Sequence, residues 1–251
     1  MSEIRSLLRK WRFKVTSSQL KELQSLVGKL AFFAKCVLSS RIFMNRLIRA
    51  LKAASNACSI RLSAEFQNDI LWWLKFAEQY NGIAIIQNNF VYEPDIIFST
   101  DSCLTGCGGM TKTQFFHCEF PSLILNLELD INCLELLTIY LCLRLWAHQW
   151  AGVRLRIFCD NATAVNAINS GRAQNTPFIA RVLRNIWWIA STNQLQLRAV
   201  HLPGVDNRLP DSLSRWHLDT KYMNIFYSNI NANEFEEVSV SEEAFEFVFI
   251  E

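Results

Sequence analysis

The sequence predicts an α/β fold, a mixed β-sheet covered by helices, preceded by a small all-α region. Three observations lead to this prediction. Apolar residues recur every three or four positions through most of the first 80 residues, as in amphipathic helices. Short apolar runs punctuated by glycine follow between residues 95 and 116, as in strands joined by tight turns. Helical and strand-like segments then alternate up to residue 215, an order typical of a sheet packed against helices.

The N-terminal region is predicted to contain three helices. The first covers about residues 18–37, and the second covers residues 41–54. The third covers residues 64–80 and follows Ser63, whose hydroxyl can cap its first turn. We therefore assign residues 1–85 to a basic helical region.

The sheet domain is predicted over residues 95–216. Its segments, in order, are a strand at 96–100, glycine-punctuated strands up to 116, a helix at 131–150, a strand at 153–159, helices at 162–169 and 177–191, a strand at 195–201 and a helix at 207–215. The remaining residues, 217–251, are acidic and rich in Asn, which favours a mobile tail. An edge strand over residues 245–250 remains open within that tail.

Charge is distributed unevenly along the chain. The net charge of +2 hides thirteen Lys and Arg against two Glu in residues 1–62, and eight acids against one Lys in residues 217–251. A basic N-terminal third favours a polyanionic partner, most simply nucleic acid. Because 51% of the residues are hydrophobic, the sequence does not resemble a disordered protein.

The cysteines and the apolar segments bear on where the protein works. The eight cysteines occur without a Cys-x-x-Cys pair, so reduced thiols are predicted rather than a structural zinc site. Residues 1–14 are too charged for a signal peptide, and charged side chains interrupt the most apolar stretch, residues 123–150. We therefore expect a soluble intracellular protein with no membrane partner, without distinguishing cytoplasm from nucleus.

Four acidic residues occupy positions that suggest a shared site. Glu135 lies among leucines in the most apolar helix, where an unpaired carboxylate would be strongly destabilising. Asp101 and Asp160 end predicted strands, and Asp211 lies in the first turn of the last helix. A turn, a helix cap and the helix dipole could each explain one of these aspartates by itself. Taken together, the four positions could meet at one edge of the sheet.

Carboxylate oxygens are the ligands that Mg²⁺ prefers. Two such ions about 3.5 to 4 Å apart can activate a water molecule and stabilise the leaving oxygen in phosphodiester hydrolysis. The four acids therefore predict a site for two Mg²⁺ or Mn²⁺ ions. We expect oxygen ligands alone, with no His or Cys nearby.

Four segments carry a resemblance to a known family. They are STDSCLTGCGG (99–109), INCLELL (131–137), CDNATAV (159–165) and HLPGVDNRLPDSLSR (201–215). These segments resemble the four motifs of the ribonuclease H domain in retroelement reverse transcriptases, most closely those of DIRS-type retrotransposons. The resemblance covers about residues 95–216. Residues 18–80 are similar to the thumb and connecting region that precedes this domain in the same polyproteins.

The resemblance implies a ribonuclease H-like fold, with a five-stranded mixed sheet and helices on both faces. It implies hydrolysis of the RNA strand of RNA/DNA hybrids, with two Mg²⁺ or Mn²⁺ ions. The residues that it implies as both catalytic and metal-binding are Asp101, Glu135, Asp160 and Asp211. The implied partners are the hybrid itself and, as a further candidate, the polymerase part of the parent element.

Contacts with the nucleic acid are assigned to polar and basic side chains. The candidates beside Asp160 are short polar residues that could read the minor groove of a hybrid: Asn161, Thr163 and Asn166. The candidates in the basic region are cations that could neutralise phosphates: Lys29, Lys35, Arg41 and Arg46.

The sequence also departs from the family pattern. It lacks the paired aspartates of a Tyr-x-Asp-Asp motif, so polymerase activity is not expected. Pro210 stands where the family usually has Ala, and the loop 203–206 lacks the His that cellular relatives carry. His201 lies earlier, on the predicted strand, and we interpret it as a structural hydrogen-bonding residue rather than a proton shuttle.

Other functions remain open at this point. One is an inactive retroelement-derived fragment that binds nucleic acid without cleaving it. Another is a strand-transferring nuclease of the same fold. A third is an interaction module whose partner surface is formed by the Trp72–Trp73 and Trp187–Trp188 pairs, although paired tryptophans on apolar helices more often belong to a core.

Overall fold

The structure, a computed structural model, describes residues 2–14, 16–17, 20–34, 40–54, 60–79, 93–173 and 177–248. The chain divides into two compact units, Met1–Asn89 and Phe90–Ile250. No helix in the described ranges combines the length and the apolar character needed to cross a membrane.

The N-terminal unit is mainly helical. Its described elements are α1 (Ser2–Trp11), β1 (Thr16–Ser17), α2 (Leu20–Phe33), α3 (Arg41–Ala54), β2 (Ile60–Arg61) and α4 (Ala64–Gln79), with β1 and β2 paired antiparallel. The three predicted helices are confirmed as α2, α3 and α4, and the backbone N–H of Phe66 donates to the Ser63 hydroxyl, 3.2 Å away. Helix α1 was not predicted, because its charged residues leave only a narrow apolar stripe, from which Leu8 and Trp11 are buried.

Aromatic side chains form much of the core of the N-terminal unit. Trp72 and Trp73 are fully buried, and the Trp72 ring stacks on Phe43 with ring centres 3.8 Å apart. In the second unit Trp187 is buried as well. These three tryptophans therefore serve as core, which removes the main support for an interaction module built on tryptophan pairs.

The second unit contains a six-stranded mixed sheet in the order β7-β6-β3-β4-β5-β8. The strands are β3 (Ile96–Ser102), β4 (Gly106–Met110), β5 (Gln114–Glu119), β6 (Arg154–Cys159), β7 (Gln196–His201) and β8 (Glu236–Glu237). Strands β3, β4 and β5 form an antiparallel meander, whereas β6 runs parallel to β3 and to β7. The predicted count of five strands is wrong, because the tail adds the short strand β8 parallel to β5.

Helices cover both faces of this sheet. They are α5 (Ser122–Leu125), α6 (Ile131–Trp146), α7 (Ala162–Ser170), α8 (Pro177–Thr192), α9 (Arg208–Ser214) and α10 (Thr220–Ser228). Successive residues of a strand point to opposite faces of the sheet. The side of Gly108 that would carry a side chain faces Leu213 of α9, and the corresponding side of Gly109 faces Cys142 of α6. Helices α6 and α9 therefore lie on opposite faces of β4.

The acidic tail, predicted to be mobile, contains a helix and two buried aromatic side chains. Helix α10 packs against α9, and the buried Phe226 ring contacts Phe115, with ring centres 4.7 Å apart. Phe245 is also buried, within a short 3₁₀ turn rather than the edge strand considered for residues 245–250. The overall composition of the tail does not reveal these isolated aromatic side chains. Each of them can bury enough apolar surface to attach a polar segment to the domain.

Candidate functional site

The four predicted acids come from four different elements of the second unit. Asp101 is the next-to-last residue of β3, and Asp160 directly follows β6. These two strands are parallel neighbours, and continuing their register from Ser99 opposite Phe158 brings Asp101 level with Asp160. Glu135 lies in the second turn of α6, and Asp211 lies in the first turn of α9. The strand ends and the two helices thus bring the four acids to one edge of the sheet.

Asp101 is buried and held in place by residues around α9. The Ser214 hydroxyl donates a hydrogen bond to Asp101 Oδ2 at 2.6 Å, and Asn207 Nδ2 lies 3.4 Å from Asp101 Oδ1. Burial raises the pKa of Asp101 to about 7, with further increases from the negative charges of Asp160 and Asp211. The Ser214 hydrogen bond and the charge of Arg215 lower this pKa in part.

Glu135 is equally buried, with 3% of its surface exposed. The backbone N–H of Ser102 donates to Oε1 at 3.2 Å, and the Cys159 thiol lies 3.6 Å from Oε2. Burial raises the pKa of Glu135 to about 8, and repulsion from Asp101 and Asp160 adds to the increase. Both buried carboxyls therefore sit among like charges, which favour the protonated form.

Asp160 and Asp211 form the more exposed side of the cluster. Burial raises the pKa of Asp160, and the charge of Asp211 raises it further. Asp211 accepts an ion pair from Arg215, one helical turn later, with Nη2 and Oδ1 2.9 Å apart. His201 Nε2 donates to the backbone carbonyl of Asp160 at 2.9 Å, the structural role predicted for this histidine.

Three side chains are placed so that they could hold one metal ion. Ligand atoms of Glu135, Cys159 and Asp160 all lie within 4.8 Å of one another. The expectation of a site without nearby cysteine was therefore wrong. Cys159 ends β6 on the face that packs towards α6, and its isolated position in the sequence gave no sign of this proximity. Burial raises the pKa of the Cys159 thiol, so that it remains a proton donor towards Glu135.

The polar candidates beside Asp160 have different environments. Asn161 Oδ1 accepts from the backbone N–H of Ala164 at 2.9 Å and so caps α7, while its Nδ2 donates to Asn132 Oδ1 at 3.0 Å. Thr163 is half-buried and Asn166 is exposed. Asn132 was missed in the sequence, although it lies three residues before Glu135 and hence on the same face of α6.

The basic candidates belong to the N-terminal unit, and two of them form ion pairs there. Lys29 pairs with Glu3, and Arg46 lies 3.6 Å from a carboxylate oxygen of Glu65 and 3.5 Å from one of Asp69. Arg41 begins α3, and Lys35 lies outside the described residues. Counting charges along the sequence overstates the positive charge that Lys29 and Arg46 offer to a ligand, because folding brings acids from other helices next to them.

The residues that support Asp101 were also missed. Asn207 is fully buried, and besides Asp101 its Nδ2 reaches the backbone oxygen of Thr100, 3.0 Å away. Ser214 lies three residues after Asp211, a spacing that puts both side chains near one face of α9. The sequence could have indicated Ser214, because Asp211 and Ser214 are three residues apart in the DSLSR segment (211–215). No sequence pattern indicated that Asn207 contacts Asp101.

No protein-family model matches this sequence, and a search of curated proteins likewise finds no match. Function must therefore be assigned from the site itself. Its defining feature is a cluster of four acids, two of them buried, around the ends of two parallel strands, with hydrogen-bond donors that orient the two buried carboxyl groups. Such an arrangement is suited to binding divalent cations, since a cation removes the repulsion that the folded chain tolerates.

Proposed function

We propose that the unit Phe90–Ile250 is a ribonuclease H-type nuclease that cleaves the RNA strand of RNA/DNA hybrids, and that it is part of, or derived from, a retrotransposon reverse transcriptase. The observation that carries this proposal is the convergence of four carboxylates from four separate segments at one sheet edge. Those segments are the ones that resemble the ribonuclease H motifs. The mixed sheet supports a ribonuclease H-like fold, with β7-β6-β3-β4-β5 as its five strands and β8 as an addition.

The donor set fits two Mg²⁺ or Mn²⁺ ions. The residues that would hold them are Asp101, Glu135, Asp160 and Asp211. Their oxygens are hard ligands. Burial raises the pKa values of Asp101 and Glu135, repulsion from neighbouring acids raises them further, and a bound cation would offset both effects by stabilising the charged carboxylates. Cys159 fits as a protonated hydrogen-bond donor to Glu135, because hard cations do not select thiol ligands. When bound, the ions would activate the attacking water and stabilise the leaving oxygen.

The chain itself would orient the acids and balance their charge. Ser214 and Asn207 fix the two oxygens of Asp101, and the Ser102 N–H fixes one oxygen of Glu135. Arg215 neutralises Asp211 in the metal-free protein. Hydrogen bonds and ion pairs of this kind hold metal-binding carboxylates in the orientation that the ions require. The side chains then need to move less during the reaction.

Recognition of the RNA strand is assigned to the amide groups beside the acids. Asn132 and Asn161 hydrogen-bond to each other next to Glu135 and Asp160. Side-chain amides both donate and accept, as contact with a 2′-hydroxyl and a neighbouring base edge requires. We propose that this pair, with Thr163 and Asn166 further along α7, contacts the minor groove of the hybrid.

The test compares labelled RNA/DNA hybrid, duplex DNA and single-stranded RNA as substrates for the purified full chain in Mg²⁺, with Asp160→Asn as the matched inactive control. Cleavage of RNA only within the hybrid, lost in the variant, is the expected result. Binding of the hybrid without cleavage would instead indicate an inactive fragment. Joined DNA products would indicate strand transfer, and either of these results would overturn the proposal.

A further inference from the structure

Two cysteines outside the acidic site face each other across adjacent strands. Cys107 of β4 is paired with Cys118 of β5, and their Sγ atoms lie 3.5 Å apart. Both are free thiols. The spacing of the cysteines in this region does not fit a structural zinc site, and the proposed function gives this pair of thiols no role.

The backbone at this position allows a disulfide bond. The N–H of Phe120 donates to the carbonyl of Thr105 at 2.9 Å, and the N–H of Thr111 donates to Gln114 at 2.7 Å. Hydrogen-bonded pairs alternate along an antiparallel ladder, so Cys107 and Cys118 form such a pair, with Cα atoms about 5.5 Å apart. That separation falls in the range of about 4.4 to 6.8 Å found for disulfides. The Cβ atoms of a hydrogen-bonded pair lie towards the wide end of about 4.5 to 5.5 Å, whereas a disulfide needs about 3.5 to 4.5 Å, so joining the sulfurs requires a small backbone shift as well as side-chain rotation.

The two thiols differ in access to solvent. Cys107 is fully buried against α6, near Thr138 and Cys142, and burial raises the pKa of its thiol. Cys118 is only partly buried. We therefore expect a dissolved reagent to reach Cys118 first, and Cys107 to react only with a partner already bound to its neighbour.

We propose that Cys107 and Cys118 form a thiol–disulfide exchange site that is oxidised by low-molecular-weight disulfides of the glutathione type. The Cys118 thiolate attacks one sulfur of the reagent, whose S–S bond breaks and releases one thiolate. Cys107, losing its proton to that thiolate, then attacks Cys118 Sγ and displaces the second thiol. The protein loses two electrons and two protons, and the reagent disulfide is reduced to two thiols.

This site is independent of the proposed nuclease activity, although it adjoins the acidic cluster. Cys107 is followed by Gly108, which pairs with Asp101 across β3 and β4. The modification can therefore be measured by the chemistry of the thiols alone, in metal-free buffer and without nucleic acid.

The experiment treats the full chain with oxidised glutathione, blocks the remaining thiols by alkylation and maps the peptides by mass spectrometry. Lys112 separates the two cysteines, so trypsin places them on different peptides that only a disulfide can join. Fragmentation of the joined peptides assigns the bond. The expected result is a Cys107–Cys118 bond that a dithiol reductant removes completely.

Two variants test the order of the steps. Cys107→Ser should retain one glutathione on Cys118, because the displacing thiol is gone. Cys118→Ser should leave Cys107 unmodified, because Cys107 is buried. The matched control is Cys103→Ser, which removes another partly buried thiol and should still form the Cys107–Cys118 bond. Absence of this bond in the wild type, or a glutathione adduct on Cys107 in Cys118→Ser, would overturn the proposal.

Discussion

Each unit of the protein buries charge, but the two units do so in opposite ways. In the N-terminal unit, the fully buried Asp69 lies 3.5 Å from the guanidinium of Arg46. In the second unit, the buried Asp101 and Glu135 lie near further acids instead. A buried acid beside an opposite charge is explained by folding alone, whereas buried acids beside further acids lower the stability of the fold, a cost that is typical of binding and catalytic sites. The difference supports placing the proposed chemistry in the second unit.

The largest effect should come from neutralising a member of the like-charge cluster. Asp101→Asn and Asp160→Asn should each lower hybrid cleavage by about a thousandfold or more, since each removes a proposed metal ligand. In metal-free buffer, both variants should unfold at the same temperature as the wild type or slightly higher, because repulsion is reduced. Cleavage rates and thermal unfolding measure the two effects. Cleavage within a few-fold of wild type in either variant would refute the site assignment.

Removal of divalent ions should abolish the activity of the unaltered chain. Mg²⁺ or Mn²⁺ should restore cleavage, and Ca²⁺ should bind without supporting turnover, because it is larger and less strict in its coordination geometry. Hybrid cleavage is followed in chelator, and then after addition of each ion in excess. Sustained cleavage in excess chelator would contradict a mechanism that depends on these carboxylates.

The oppositely charged pair should behave in the reverse manner. Asp69→Asn removes the negative charge of a fully buried carboxylate that lies beside Arg46. This substitution should lower the free energy of unfolding of the N-terminal unit by about 3 kcal/mol. The control is Glu65→Gln, which affects the same arginine from an exposed position and should cost less than about 1 kcal/mol. Denaturant unfolding compares them, and equal losses would show that burial does not distinguish the two acids.

The stability of the metal-free second unit should fall as pH rises. The folded chain holds the pKa of Asp101 at about 7 and that of Glu135 at about 8, compared with ordinary values of 3.8 and 4.5. Between about pH 4 and 8 the folded form therefore binds more protons than the unfolded form, and the stability present at low pH is lost through this range. Thermal unfolding in chelator tests this, and the profile of Asp101→Asn should be flatter. Parallel profiles for the two proteins would contradict the assignment.

The smallest effect concerns the basic N-terminal unit. If the exposed Arg49 contacts a phosphate, Arg49→Gln should reduce the slope of log affinity against log salt by about 0.9 on a duplex. Lys29→Gln should change the slope less, because Lys29 is paired with Glu3. Hybrid-binding titrations at several salt concentrations measure both slopes. A larger change for Lys29→Gln than for Arg49→Gln would show that the ion pair does not limit binding.

The spacing of apolar residues along the chain is enough to predict most of the helices and strands. The predicted helix at 177–191 is observed at Pro177–Thr192, and the predicted strand at 195–201 at Gln196–His201. These segments bury a continuous apolar face, so their period is visible in the sequence. Helices α1 and α10 were missed because each buries only a few apolar side chains, and Ala147–Gln149 tightens into a 3₁₀ turn that ends α6 early.

The sequence by itself also determined which acids to consider, because a glutamate among leucines and aspartates at strand ends are unusual for local reasons. Only the tertiary structure decided what surrounds them. Several contacts join residues that are far apart in the chain: Cys159 with Glu135, Ser214 with Asp101, and Glu3 with Lys29. No local sequence pattern encodes such contacts. Local sequence sets the period and the ends of each element, whereas the packing of elements against one another sets which charges meet and which thiols face each other.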